Sequence, residues 1–294
     1  HIQDGGGQWV WEGGPSDRHL TTYLVILTVS GFMTIWLTRT LQPGVLRDTV
    51  RAAGVAVARV TTTVYEIERK AFHLAGLLVP LIYQLLLDWR FSHVLCMRIC
   101  WSLTAAGWTL DLMRLHVPVV RQNFPLKAIL RDREANSLCG ACYFSLGCTL
   151  TISLFPPAVA CTAIIFLVLG DMSAALIGVS FGGDVCVVKL GREGKKSLEG
   201  SIAMFTVCML IGCGIFSQVP LREYAVFIGA LAATLTELYE PYGVNDNLTV
   251  PVIAGLLLTW GFLRIEGCVD SPPDGMPHAQ DGPLAWTAPP AEAD

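Results

Sequence analysis

The chain has 294 residues, of which 53% are hydrophobic and 15% charged, and its mean hydropathy is +0.53. An average soluble domain carries roughly 25% charged residues, so the composition speaks against a water-soluble fold. A formal net charge of -4 gives no overall basic footprint, which removes nucleic acid as a partner and leaves any affinity for phosphate to local clusters.

A helix crosses a bilayer core with about 20 apolar residues, and about 17 to 25 are tolerated. On that measure the sequence predicts an all-α fold, a polytopic membrane bundle of about eight transmembrane helices. The predicted spans are 21–38, 71–87, 94–113, 138–155, 158–178, 201–219, 224–238 and 248–263. The first is long enough to be an anchor rather than a cleavable signal. Residues 42–68 are too polar to span, but Val45, Val55, Val57 and Val60 recur among arginines as in a helix lying on the membrane surface. The third span carries Arg98 and Asp111 near its ends, and Pro156-Pro157 predicts a tight corner between the fourth and fifth. Cys139 and Cys142 form a C-x-x-C with no second pair at zinc-ligand spacing, so they are expected, like most of the cysteines, to act as small buried apolar residues. Three parts follow: an anchor helix and polar loop over 1–68, a membrane-embedded domain over 69–266, and a disordered tail rich in Pro, Asp and Glu over 267–294.

Lys and Arg in short loops stay on the cytoplasmic side. Most of the 20 basic residues fall in the first, third and fifth loops, including Arg39, Arg69, Lys70, Arg114, Arg133, Lys189 and Lys196. Those loops are therefore expected to be cytosolic and the termini on the other side. The seventh loop shares the cytosolic face, so the sequon at Asn247 is expected to be unmodified.

Ionisable groups at the membrane edge are costly and mark candidate sites. Arg69 and Lys70 fit a positive stop before the second span, whereas His73, one turn further in, does not. Glu134 and Asn136 precede the fourth span, where capping alone explains them. Asp171 follows a long apolar run and needs a partner, for which a phosphate-carrying Mg²⁺ is suited; Ala174, Ala175 and Gly178 beyond it make a small-residue face. The loop 181–201 holds Gly182, Gly183, Gly191, Gly194, Lys195, Lys196, Ser197, Glu199, Gly200 and Ser201, in which glycine backbones and lysines can receive an anion at the start of a helix. It does not have the spacing of a Walker A loop. Between the last two spans, Glu237, Glu240, Asn245, Asp246 and Asn247 form a set without Lys or Arg that suits a metal or hydroxyl.

Together, Arg69-Lys70-x-x-His73, Gly170-Asp171 with Ala174, Ala175 and Gly178, the string Lys196 to Ser201, and Asp246 to Pro251 resemble the polyprenol and lipid kinase family. Its members include dolichol, phytol and farnesol kinases and the CTP-dependent diacylglycerol kinase. The stretch from Arg133 to Phe144 most resembles the last of these. The resemblance implies an endoplasmic-reticulum enzyme, active on the cytosolic face, that uses CTP and a divalent metal such as Mg²⁺ to phosphorylate a lipid alcohol drawn from the membrane. Carried onto this chain, it implies Asp171 and Asp246 as metal ligands and Arg69, Lys70, Lys195 and Lys196 as phosphate partners. Gly182, Gly183, Gly194, Gly200, Ser197, Glu199, Ser201 and Asn247 would shape the nucleotide site, and His73, Glu134 or Glu237 would act on the acceptor. Diacylglycerol is the expected acceptor. Isoprenoid alcohol kinase, cytidylyltransferase and transporter remain alternatives.

Overall fold

The computed structural model describes residues 2–3, 9–10, 17–123, 136–182, 189–191 and 196–269. Glu134, Gly183, Gly194, Lys195 and the tail from 270 onward lie outside the described residues.

Helix α1 (Asp17–Thr40) opens on an acidic turn and closes on a basic one, as the helix dipole favours. Leu20, Leu24, Thr28 and Gly31 recur at helical spacing and are buried, while Val25, Ile26, Val29, Phe32, Met33 and Trp36 are exposed on the outside. A helix apolar on both its inner and its outer face fits a lipid surround, where backbone groups must be satisfied within the helix itself.

Helices α2 (Pro43–Ala52) and α3 (Val57–Ala71) follow. The valine stripe expected to lie on the membrane is divided: Val55 and Val60 are buried with Leu46, Val50 and Val64 against Ile67 and Phe181, whereas Val45 and Val57 are exposed. Most of the apolar face is thus used to seat α2 and α3 on the protein, and Arg59 donates to the Ser180 carbonyl at 3.3 Å across that seam. Helix α3 runs unbroken through residue 68 and passes through a 3-10 stretch, Phe72–Leu77, into α4 (Leu78–Asp88).

Helix α5 (His93–His116) is capped by Ser92, whose hydroxyl accepts the Leu95 N–H at 3.2 Å. A short α6 (Pro118–Gln122) precedes α7 (Gly140–Leu154). The chain turns at Phe155 and Pro156, and Pro157 occupies the first position of α8 (Pro157–Ile165), where its missing N–H costs nothing. Helix α8 is apolar all round and every residue from Ala158 to Val168 is buried, so it forms the centre of the bundle. Around it pack α4, α7, α10 (Leu198–Ile215) and α12 (Asp246–Val269). One π turn, Phe166–Gly170, joins α8 to α9 (Asp171–Phe181), and α11 (Arg222–Tyr239) pairs with α12.

Among the described residues, five stretches are long and apolar enough to cross a membrane: Asp17–Thr40, Val57–Asp88, Pro157–Phe181, Leu198–Ile215 and Asp246–Ile265. Helix α7 is apolar but shorter. Helices α5 and α11, the expected third and seventh spans, have the length but are not among the five.

Candidate functional site

One cavity of about 320 Å³ gathers residues from distant parts of the chain. Lys70 and His73 come from the α3 junction, Asp171 from α9, Lys196, Ser197, Gly200 and Ser201 from the start of α10, Glu237 and Glu240 from the end of α11, and Asp246 and Asn247 from the start of α12. Local structure explains each placement. Lys70 stands in the last turn of α3 and His73 in the 3-10 stretch that continues it, and their spacing of three residues puts both on one face. The π turn adds a residue just ahead of Asp171 and re-aims the face on which it stands.

Asp171 is 7% exposed, accepts from the Lys70 ammonium, and stands 3.7 Å from His73 Nε2. Asp171 is the first residue of α9, but the helical path runs on from α8 through the π turn, so it stands inside the continuous apolar stretch Pro157–Phe181.

On the opposite wall Lys196 Nζ pairs with Glu237 Oε1 at 2.9 Å and Glu240 Oε1 at 3.0 Å. Burial opposes the lysine's charge, but the two carboxylates outweigh it, and its pKa is raised above the ordinary lysine value. Lys196 also donates to the Glu237 carbonyl. Glu237 Oε2 is buried and, among the described residues, has no hydrogen-bond partner. Glu240 is held with φ +43°, a left-handed conformation unusual for a side chain larger than glycine, just before Pro241.

Ser197 caps α10, its hydroxyl accepting the Gly200 N–H at 3.2 Å, and Ser201 donates to the Ser197 carbonyl at 3.2 Å. Gly200 has no room for a side chain, since a Cβ there would stand 2.6 Å from the Ala174 carbonyl oxygen. The Ala174 and Gly178 face therefore serves close packing of α9 on α10 as well as lining the cavity. Asn247 is 8% exposed in the first turn of α12. Its N–H donates to Asp246 Oδ1 at 2.8 Å and Asn245 Oδ1 at 3.0 Å.

Of the expected residues, Glu199 and Gly182 are not part of the cavity wall. Glu199 lies in the first turn of α10, and Gly182 ends α9, where a Cβ would meet Ser197. Arg69 lies at the junction beside Lys70. Glu240, expected within the acidic set between the last two spans, does line the cavity, whereas sequence reasoning assigns no role to Gly147. A Cβ on Gly147 would stand 2.4 Å from the Asn247 carbonyl oxygen, so this glycine lets α7 approach the turn that carries Asp246 and Asn247. A lone glycine within an apolar helical run was the available signal.

The arrangement can receive an anion at the α10 N-terminus between two lysines, with carboxylates opposite. No family model matches the chain, and no solved structure matches it. Among curated proteins, an uncharacterized protein of Rickettsia prowazekii, RP860, is 28% identical over 196 residues, covering 64% of this chain and 90% of that protein. CTP-dependent diacylglycerol kinase 1 of Saccharomyces cerevisiae is 27% identical over 224 residues, 67% of this chain and 73% of the enzyme. The Schizosaccharomyces pombe enzyme of the same name is 27% identical over 171 residues, 52% of this chain and 74% of the enzyme. The resemblance first read from short motifs thus extends over half to two-thirds of the chain, and the curated proteins to which the chain is similar, at a distance, include the CTP-dependent diacylglycerol kinases.

Proposed function

We propose that this chain is a membrane lipid kinase that transfers the γ-phosphate of CTP to diacylglycerol, giving phosphatidate and CDP. The observation that carries the reading is the single cavity in which Lys70, Lys196, Asp171, Glu237 and Asp246 meet at the start of α10. Phosphoryl transfer asks little covalent chemistry of a protein; it asks for positioning and for charge to be neutralised. Lys196 and the α10 N-terminus, with Lys70 behind them, meet the phosphates. His73, oriented by Asp171, takes the proton of the lipid hydroxyl as its oxygen bonds to the γ-phosphorus and the bond to the β-phosphate oxygen breaks.

The residues fit a divalent cation. Mg²⁺ needs only one or two carboxylates beside phosphates and water, and the cavity offers Asp246, Asp171 and the unpartnered, buried Glu237 Oε2. The chemistry such an ion supplies is neutralisation of phosphate charge. The rest is the work of the lysines, the helix terminus and His73.

In the eight-span reading, α5, α7 and α11 cross beside the five long stretches. The cavity then opens to the cytosolic face of the endoplasmic-reticulum membrane, where both CTP and a lipid hydroxyl can reach it. The test is to incubate the purified full chain in lipid nanodiscs with γ-labelled CTP or ATP and, separately, diacylglycerol, dolichol and shorter isoprenoid alcohols. Labelled phosphatidate formed from CTP is the expected product. A labelled isoprenoid phosphate would reassign the acceptor, and pyrophosphate release with a cytidylylated lipid would end the kinase reading.

A further inference from the structure

The end of α5 and the start of α7 enclose a second cluster, which phosphoryl transfer does not use. Asp111 on α5 and Cys139 and Cys142 at the start of α7 each present one ligand atom, and the three atoms lie within 4.8 Å of one another. All three residues are buried, at 1%, 7% and 5% exposure. We propose that Asp111, Cys139 and Cys142 form a binding site for a thiophilic divalent cation of the zinc type.

The start of α7 brings the two thiols of the C-x-x-C together. Cys139 is extended at the position before the helix and Cys142 follows in its first turn, with the Cys142 N–H bonded to the Cys139 carbonyl at 3.0 Å. In that conformation both thiols project to one side. Donor atoms around tetrahedral zinc stand about 3.3 to 3.8 Å apart, so the three need close by no more than about an ångström.

The surroundings match what a ligating carboxylate requires. Arg114 Nε donates to Asp111 Oδ1 at 2.6 Å, and the Cys139 N–H donates to Oδ2 at 2.9 Å. Each oxygen keeps a second lone pair, and the carboxylate is held in place by bonds beyond the ligands. Arg114, itself 2% exposed, also donates to the Ser137 carbonyl at 2.7 Å. Two thiolates and a carboxylate, set against a divalent cation and the guanidinium, leave no net charge in a buried place where net charge is costly. Binding releases two thiol protons to water, and the fourth coordination position is left for a water molecule. Thiolates select soft cations, so this site and the oxygen-lined cavity would not compete for the same ion.

The test uses the full chain in detergent, purified without chelator. Elemental analysis is expected to give about one zinc per chain. Replacing the zinc by Co²⁺ is expected to produce thiolate-to-cobalt charge-transfer bands in the near ultraviolet and the strong visible bands of tetrahedral cobalt. Both signals should vanish in the C139S/C142S double variant and persist in C148S, whose thiol is buried elsewhere. Bound cobalt without thiolate bands in the unsubstituted protein would overturn the proposal whether or not the double variant folds. So would metal content unchanged in the double variant, or isolation of a metal-free chain with a Cys139–Cys142 disulfide.

Discussion

Two buried carboxylate–cation pairs stand in this bundle, and they differ in what surrounds them. Asp171 with Lys70 sits beside open space, faced by a second lysine and three more acids, one of which, Glu237, has a carboxylate oxygen without a partner among the described residues. Asp111 with Arg114 sits in close quarters, both carboxylate oxygens bonded and the guanidinium also held by the Ser137 carbonyl, with two thiols against it. Lysine is a compact point charge that can turn from a carboxylate to a phosphate; the planar guanidinium is committed to the partners it grips. A buried charge in a membrane protein is therefore not in itself a substrate site. Unsatisfied polar capacity next to empty volume marks one.

The comparison breaks most visibly at the closed pair. Arg114→Met leaves Asp111 buried without its cation, which is expected to cost about 3 to 5 kcal/mol and lower the thermal unfolding midpoint of the detergent-solubilised protein by many degrees. Asp111→Leu combined with Arg114→Met should recover most of that loss, because an apolar pair of similar volume removes the uncompensated charge. Equal instability of the single and double variants would show that packing, not charge, dominates there. The open site should respond in the reverse sense. Lys196→Met is expected to lower kcat/KM for CTP by about 100-fold while lowering the unfolding midpoint less than Arg114→Met does, since the lysine side chain is 28% exposed and its ion pairs are partly screened. Lys196 stays charged throughout the neutral and mildly alkaline range, its pKa being raised, so no loss of activity below about pH 10 should trace to its titration. A variant that loses stability but keeps turnover would place Lys196 with the structural pairs.

How legible this was from sequence depends on range. The apolar runs and the corner at Pro156 and Pro157 are local, set by neighbouring residues, and they read directly, whereas the helix expected from Ser201 starts at Leu198 with Ser197 as its cap. The polar strings were readable as residue types, but that Lys70, Asp171, Lys196 and Glu237 meet in one cavity depends on helices crossing around α8, which no local pattern contains. The same limit hid the third ligand of the C-x-x-C. Asp111 lies far upstream, near the end of an expected span, and only the pairing of α5 with α7 brings it to Cys139. The valines of α2 and α3 show a further limit: an amphipathic stripe declares that it will be covered, but not whether lipid or α9 does the covering.

The smallest expected effect is at Gly147, and it tests whether the open site depends on how tightly its walls are braced. A methyl group there would meet the Asn247 carbonyl at 2.4 Å and the Leu248 Cα at 3.1 Å, both backbone atoms that cannot rotate away. Gly147→Ala must therefore push α12 off α7 or bend one of them, at a cost of about 1 to 3 kcal/mol. Alanine also has the better helix propensity, by about 1 kcal/mol, which offsets part of that cost, so the net change in unfolding midpoint should be small. The displacement falls on the turn that carries Asp246 and Asn247. The expected signature is a KM for CTP raised about tenfold with kcat reduced less, because the phosphate partners on α10 are untouched. An unchanged KM, measured beside a lowered midpoint, would mean that the first turn of α12 braces the bundle without contributing to the nucleotide site.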